Sequence, residues 1–109
     1  MDWIEIGSLN DIPRRGARCV KTSAGRLAVF RTADDRVFAL EDICPHRKGP
    51  LSQGIVHDAA VTCPLHNWVI DLETGQVRGA DEGSVPTVPV MVEGDRILLG
   101  ASWRASKAA

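Results

Sequence analysis

The chain predicts an all-β domain, and three observations lead there. Short segments alternate apolar and polar side chains and are rich in Val, Leu and Phe, as half-buried antiparallel strands are. Polar or glycine-containing turns separate them. No segment carries an apolar period of 3.6 over ten or more residues.

The elements follow in order. "WIEI" opens as a strand. "ARCVKT" and "RLAVFRT" flank "SAG" and read as a hairpin, and "RVFALED" follows the polar turn "ADD". "AAVTC" and "NWVIDL" are strands on either side of "CPLH", and "ETG" turns the chain into "QVR". "VPTVPVMV" and "RILLG" flank "EGD", a second hairpin, and Pro86 and Pro89 limit "VPTVPV" to an edge strand or an irregular extended run. Two small packed sheets are predicted, with a strand-rich insert at about 43–72. The tail at 103–109 is small and polar apart from Trp103, so its end is expected to be loosely held.

The chain has 109 residues, enough for one domain with a modest core. Apolar residues make up 44% and charged residues 25%, the proportions of a globular chain. A formal net charge of -1 offers no bulk attraction to nucleic acid or to an anionic membrane. No apolar run approaches the roughly 20 residues that span a bilayer. The start, "MDWIEIGSLND", is mixed polar and acidic and lacks a leader pattern, so a cytoplasmic protein is expected.

The chemistry concentrates in "CPHRKGPL" and "CPLH". Two of the three Cys and two of the three His stand there: Cys44, His46, Cys63 and His66. In a reducing compartment such clusters bind metal more often than they form disulfides. Cys19 lies apart and is expected to be a small, buried, unreactive residue. His57, with no Cys nearby, reads as a turn or exposed strand residue.

Two metal readings fit the four residues. A structural zinc site ordinarily pairs C-x2-4-C with H-x3-5-H, whereas here each loop supplies one thiolate and one imidazole. A Rieske-type [2Fe–2S] cluster places two Cys on one iron and two His on the other, with each loop giving one of each. Pro45 and Pro64 fix φ just after each Cys and stiffen the turns. Gly49 and Gly54 let backbone pass close by.

The pattern C-P-H-R-x-G-x-L…C-P-L-H resembles the Rieske superfamily. "CPHRKGPLSQGIV…VTCPLHNWVIDLETGQV" is most similar to the small subunit of assimilatory NAD(P)H-dependent nitrite reductase, which reduces nitrite to ammonia. The resemblance implies the Rieske-like fold, a small antiparallel β-sandwich or barrel with a cluster-binding β subdomain, as one domain over 1–109. It implies a [2Fe–2S] cofactor on Cys44, His46, Cys63 and His66. It also implies a large partner carrying flavin and siroheme, with this chain as an electron-transfer subunit that has no turnover of its own. The chain lacks a glycine-rich dinucleotide fingerprint. The alternative is a free Rieske ferredoxin serving a ring-hydroxylating oxygenase. The terminal oxygenase itself would need a second domain with its own iron site, for which one leftover His is too few.

Exchanging two thiolates for neutral imidazoles makes the centre easier to reduce, so Rieske potentials lie at roughly -150 to +300 mV against about -400 mV for plant-type clusters. High-potential members carry an extra Cys in each loop, plus Ser and Tyr hydroxyls. The corresponding positions here are Gly49, Leu65, Trp68 and Ile70, so a potential at the low end is expected. Pro50, Leu51, Leu65 and Trp68 are expected to pack around the centre. Arg47 and Lys48 are expected on the surface, with a weak part in steering an acidic partner.

Overall fold

The computed structural model describes residues 3–22, 25–43, 50–63, 67–78 and 83–100. Ten strands are present among them: β1 Trp3–Ser8, β2 Gly16–Thr22, β3 Gly25–Arg31, β4 Val37–Glu41, β5 Ile55–His57, β6 Ala60–Thr62, β7 Val69–Asp71, β8 Thr87–Val88, β9 Val90–Glu93 and β10 Arg96–Gly100. Short 3-10 turns at Leu9–Asp11 and Leu51–Gln53 are the only helical pieces among the described residues. All the strand pairings are antiparallel.

Three sheets form rather than two: β1-β10-β9, β2-β3-β4-β8 and β5-β6-β7. The four-stranded sheet is the middle layer. In β3, Leu27, Ala28, Val29 and Phe30 are all buried. Successive strand side chains point to opposite faces. Leu27 and Val29 therefore join Ala39, Ile97 and Leu99 on one side, while Ala28 and Phe30 join Leu40, Val61, Ile70 and Leu72 on the other. The unbroken apolar run "LAVF" is the mark of a strand covered on both faces. Alternation alone points to half-buried strands, and that is why two sheets were expected.

The β2–β3 and β9–β10 hairpins form where the turn residues place them, with Arg96 opposite Glu93 and Gly94 at φ 65 in the connection. Residues 23 and 24 of the first turn lie outside the described set. β8 is an edge strand two residues long, bounded by Pro86 and Pro89 as expected. "QVR" contributes isolated bridges at Gln76 and Val77 rather than a strand. β5 carries no sequence expectation of its own, because "GIVH" is too short to show a period. The third sheet, residues 55–71, lies between the two Cys-Pro loops and beyond them.

An ionic hub ties the start of β2 to the β3–β4 turn. Arg31 donates to the carbonyls of Leu9 and Ile12 at 2.9 and 2.8 Å, and it pairs with Asp35 at 2.8 Å. Arg14 meets the same carboxylate at 3.0 Å. The hydrogen bond from Arg14, then that from Arg31, hold the Asp35 carboxyl at about 2, below its ordinary 3.8.

Leu27→Ala and Leu40→Ala, on opposite faces of the middle sheet, are each expected to cost about 2–5 kcal/mol in urea denaturation. A cost near zero for either one would mean that its face is not covered. Asp35 has a depressed folded pKa, so its contribution is present above pH 4 and is lost as the pH falls toward 2. The thermal midpoint should drop over that window, and Asp35→Asn should flatten the drop; identical profiles for the two proteins would refute the assignment.

Candidate metal centre

The first Cys-Pro loop leaves the middle sheet at the end of β4. Asp42 follows β4 directly and donates its N–H to the carbonyl of Arg26 at 3.1 Å. Its carboxylate is 1% exposed. It accepts the backbone N–H and the hydroxyl of Ser52, both at 2.7 Å. Ser52 sits in the 3-10 turn Leu51–Gln53, which Pro50 opens at φ -75 and the Gly54 N–H closes onto the carbonyl of Leu51 at 2.9 Å. The segment that carries Cys44 and His46 is thus tied at both ends, at Asp42 and at Ser52.

The second loop leaves the third sheet at the end of β6. Cys63 is fully buried, and its N–H donates to the carbonyl of Trp68 at 2.7 Å. Asn67 takes the left-handed conformation at φ 57, which asparagine tolerates better than most residues and which turns the chain back into β7. The two loops share a base. Leu51 from the first and Cys63 from the second lie in one apolar cluster with Val61 and Ile70, and Trp68 packs against it. A Cβ at Gly54 would stand 2.4 Å from the carbonyl oxygen of Thr62, so the exit of the first loop lies directly on the entrance of the second.

Beyond β7, Asp71 caps the turn that follows. It accepts the N–H groups of Glu73 and Thr74 at 2.9 and 3.1 Å. Burial pushes its carboxyl up, but Arg78 and those two N–H groups outweigh burial and hold it below its ordinary value. Leu72 is buried, and Gly75 stands at φ 76 with no room for a Cβ against the carbonyl of Val85. The words "DLETG" therefore spell a capped turn with a glycine that the geometry requires.

Of the four expected ligands, Cys63 is placed as described; Cys44, His46 and His66 lie outside the described residues, as do Pro45, Arg47, Lys48, Gly49, Pro64, Leu65 and the tail at 103–109. Among the described residues no three His, Cys, Asp or Glu side chains are arranged to hold a metal ion. The base of the loops suits a soft cluster: one buried thiol, apolar walls from Leu51, Trp68 and Ile70, and chain ends held by hydrogen bonds. Trp68 and Ile70 offer no hydroxyl to a cluster sulfur.

Cys19 is corrected: it is exposed, not buried. It lies on β2, the edge strand of the middle sheet. Its thiol is nevertheless pushed up from the ordinary value, first by partial burial and then by its hydrogen bond to Asp42 and the negative charge there. A raised thiol is a poor nucleophile, which agrees with an unreactive role. His57 is a half-buried β5 residue whose Nε2 lies 2.7 Å from the Thr62 hydroxyl. Asp42 and Ser52 escaped the sequence reading. Their only signal was a carboxylate two residues before a candidate ligand and a serine within "PLSQG".

A cavity of about 340 Å³ lies at the other end of β4, lined by Val37, Phe38, Leu72, Glu73 and Val90 among others. No group of ligating side chains among the described residues lines it.

The family described as Rieske-like [2Fe–2S] domain matches residues 2–100. The anthranilate 1,2-dioxygenase ferredoxin subunit of Burkholderia cepacia is 34% identical over 99 residues, covering 91% of this chain and 87% of that protein. The ferredoxin component of the naphthalene 1,2-dioxygenase system of Pseudomonas aeruginosa is 28% identical over 101 residues, covering 92% and 96%. Among solved structures, a protein provisionally assigned as nitrite reductase NADPH (small subunit) superposes with a TM-score of 0.83 at 27% identity, covering 93% of this chain and 100% of that one.

Gly54→Ala should force the two loops apart, because its new methyl meets backbone rather than a flexible side chain. A cost of about 1–3 kcal/mol is expected, together with less iron per chain after purification. Wild-type stability and iron content would show that the loops do not meet there.

Proposed function

The chain belongs to the Rieske-like [2Fe–2S] domain family, and from that premise we propose that it is a one-electron carrier in which Cys44, His46, Cys63 and His66 hold the cluster. The observation that supports this reading is the shared base of the two loops, where buried Cys63 and the Gly54–Thr62 contact join the described ends of the segments that carry the candidate ligands. The bound cluster supplies one-electron redox chemistry at a centre made easier to reduce by its two neutral imidazoles. The protein's own residues do the rest. Leu51, Trp68 and Ile70 keep water from the sulfur side, and Asp42 and the Trp68 carbonyl hold the loop ends.

For the partner, we favour the terminal component of a ring-hydroxylating oxygenase system, with a reductase as electron source. The relatives matched over nearly their whole length are named as ferredoxin components of such systems. This reverses the order suggested by the sequence. There "HNWVIDLETG" favoured nitrite reductase, but the fold accounts for Asn67, Trp68, Asp71, Leu72 and Gly75 as turn and core residues, so those words no longer separate the two. The second reading, the small subunit of an NAD(P)H nitrite reductase docked on a flavin and siroheme subunit, keeps the support of the structural likeness. Either partner belongs in the cytoplasm, in keeping with thiols used as ligands rather than as disulfides.

Reduced protein should show nitrogen couplings to the iron centre by pulsed EPR. His46→Ala and His66→Ala should each remove one of two nitrogen couplings from whatever cluster is retained, the double variant should remove both, and Cys63→Ser should lose the iron. A spectrum without nitrogen coupling would refute the ligand set. The midpoint potential should fall in the lower part of the Rieske range, and a value well above zero would contradict the absence of hydroxyls at positions 68 and 70. Tagged protein recovered from its native host, with its companions identified by mass spectrometry, decides between an oxygenase system and a siroheme subunit.

A further inference from the structure

Asp42 is an unusual expense for so small a domain. A carboxylate buried to 1% exposure loses its hydration and has to recover it from donors. Among the described residues no salt bridge includes it, and its carboxylate meets the Ser52 N–H, the Ser52 hydroxyl and the Cys19 thiol. An apolar residue of similar size would pack between β2, β3 and the 3-10 turn at lower cost. What an apolar residue would not supply is a directional tie across the segment from 42 to 52, or a fixed negative charge two residues from Cys44.

We propose that Asp42 is a positioning residue for the first ligand pair: its bonds to Ser52 set the span on which Cys44 and His46 stand, and its charge makes the centre harder to reduce. The inference rests on the ligand set proposed above. The tie acts through geometry. With Asp42 held on the Arg26 carbonyl and Ser52 held on Asp42, the loop has one spacing between its ends, and its ligands meet the cluster without an ordering cost at each encounter. The charge acts through space. An electron added close to a buried anion in a medium of low dielectric meets repulsion that bulk water would screen.

Asp42→Asn keeps the shape, removes the charge and turns one acceptor into a donor that faces another donor. It should release iron to a chelator about tenfold faster than wild type, the lower end of the loss found when groups supporting metal ligands are removed. The midpoint potential of its loaded fraction should shift upward. Ser52→Ala removes one tie and keeps the charge, so it should speed iron release while leaving the potential in place. A merely structural role would lower the melting temperature and leave the loaded fraction at the wild-type potential. Wild-type release and potential in Asp42→Asn, in a protein whose own spectrum shows nitrogen ligation, would overturn the inference and leave the ligand set standing. A wild-type spectrum without nitrogen ligation would instead remove the ligand set, and the inference with it. Should Asp42→Asn fail to fold, Ser52→Ala decides the tie: release at the wild-type rate overturns it.

Discussion

The middle sheet is buried on both faces, and the rest of the molecule is arranged around that constraint. Four consecutive apolar residues in β3 cannot be covered from one side, because neighbouring strand residues face opposite ways. One covering layer comes from the chain ends, through β1, β9 and β10. The other is the third sheet, assembled from short strands inserted between β4 and β8. The domain is held together where these layers meet, and the two Cys-Pro loops leave from different layers, one from the middle sheet and one from the third.

The candidate centre follows from the same architecture. The third sheet sits on the face that also carries Ala28, Phe30 and Leu40, so the entrance of the second loop is fixed against the core through Val61 and Cys63. The first loop starts on the middle sheet and returns to the third through the 3-10 turn. Its two ends therefore belong to different layers, and packing alone leaves a seam between them. The Asp42–Ser52 pair closes that seam with charge-assisted hydrogen bonds, which have direction where apolar contacts do not. Gly54 closes it sterically, because only a residue without a Cβ lets the first loop lie on the Thr62 carbonyl.

Buried and exposed residues divide at the base of the loops. Asp42, Leu51, Cys63 and Ile70 lie inside. The surface around the loop ends differs. Ile43 and Ile55 are exposed there, Ile55 at 71%, each next to a loop end. The chain is similar both to a dioxygenase ferredoxin subunit and to a provisionally assigned nitrite reductase subunit, because one fold serves carriers with different partners.

Composition, turn residues and the Cys-x-His and Cys-x2-His spacing determined the class of fold, most of the strands, and the kind of cofactor, because each of these is written in local residue order. The two hairpins and the proline-limited edge strand were legible for that reason. The third sheet, the exposure of Cys19, the roles of Asp42 and Ser52 and the partner that Gly54 meets were decided only by tertiary structure. Each depends on which layer lies opposite a residue, and contacts between positions eight or more apart along the chain leave no periodic signal in it. "DLETG" shows the same division: as sequence it resembled a family signature, and only the folded turn revealed it as a cap, a buried leucine and a glycine without room for a side chain.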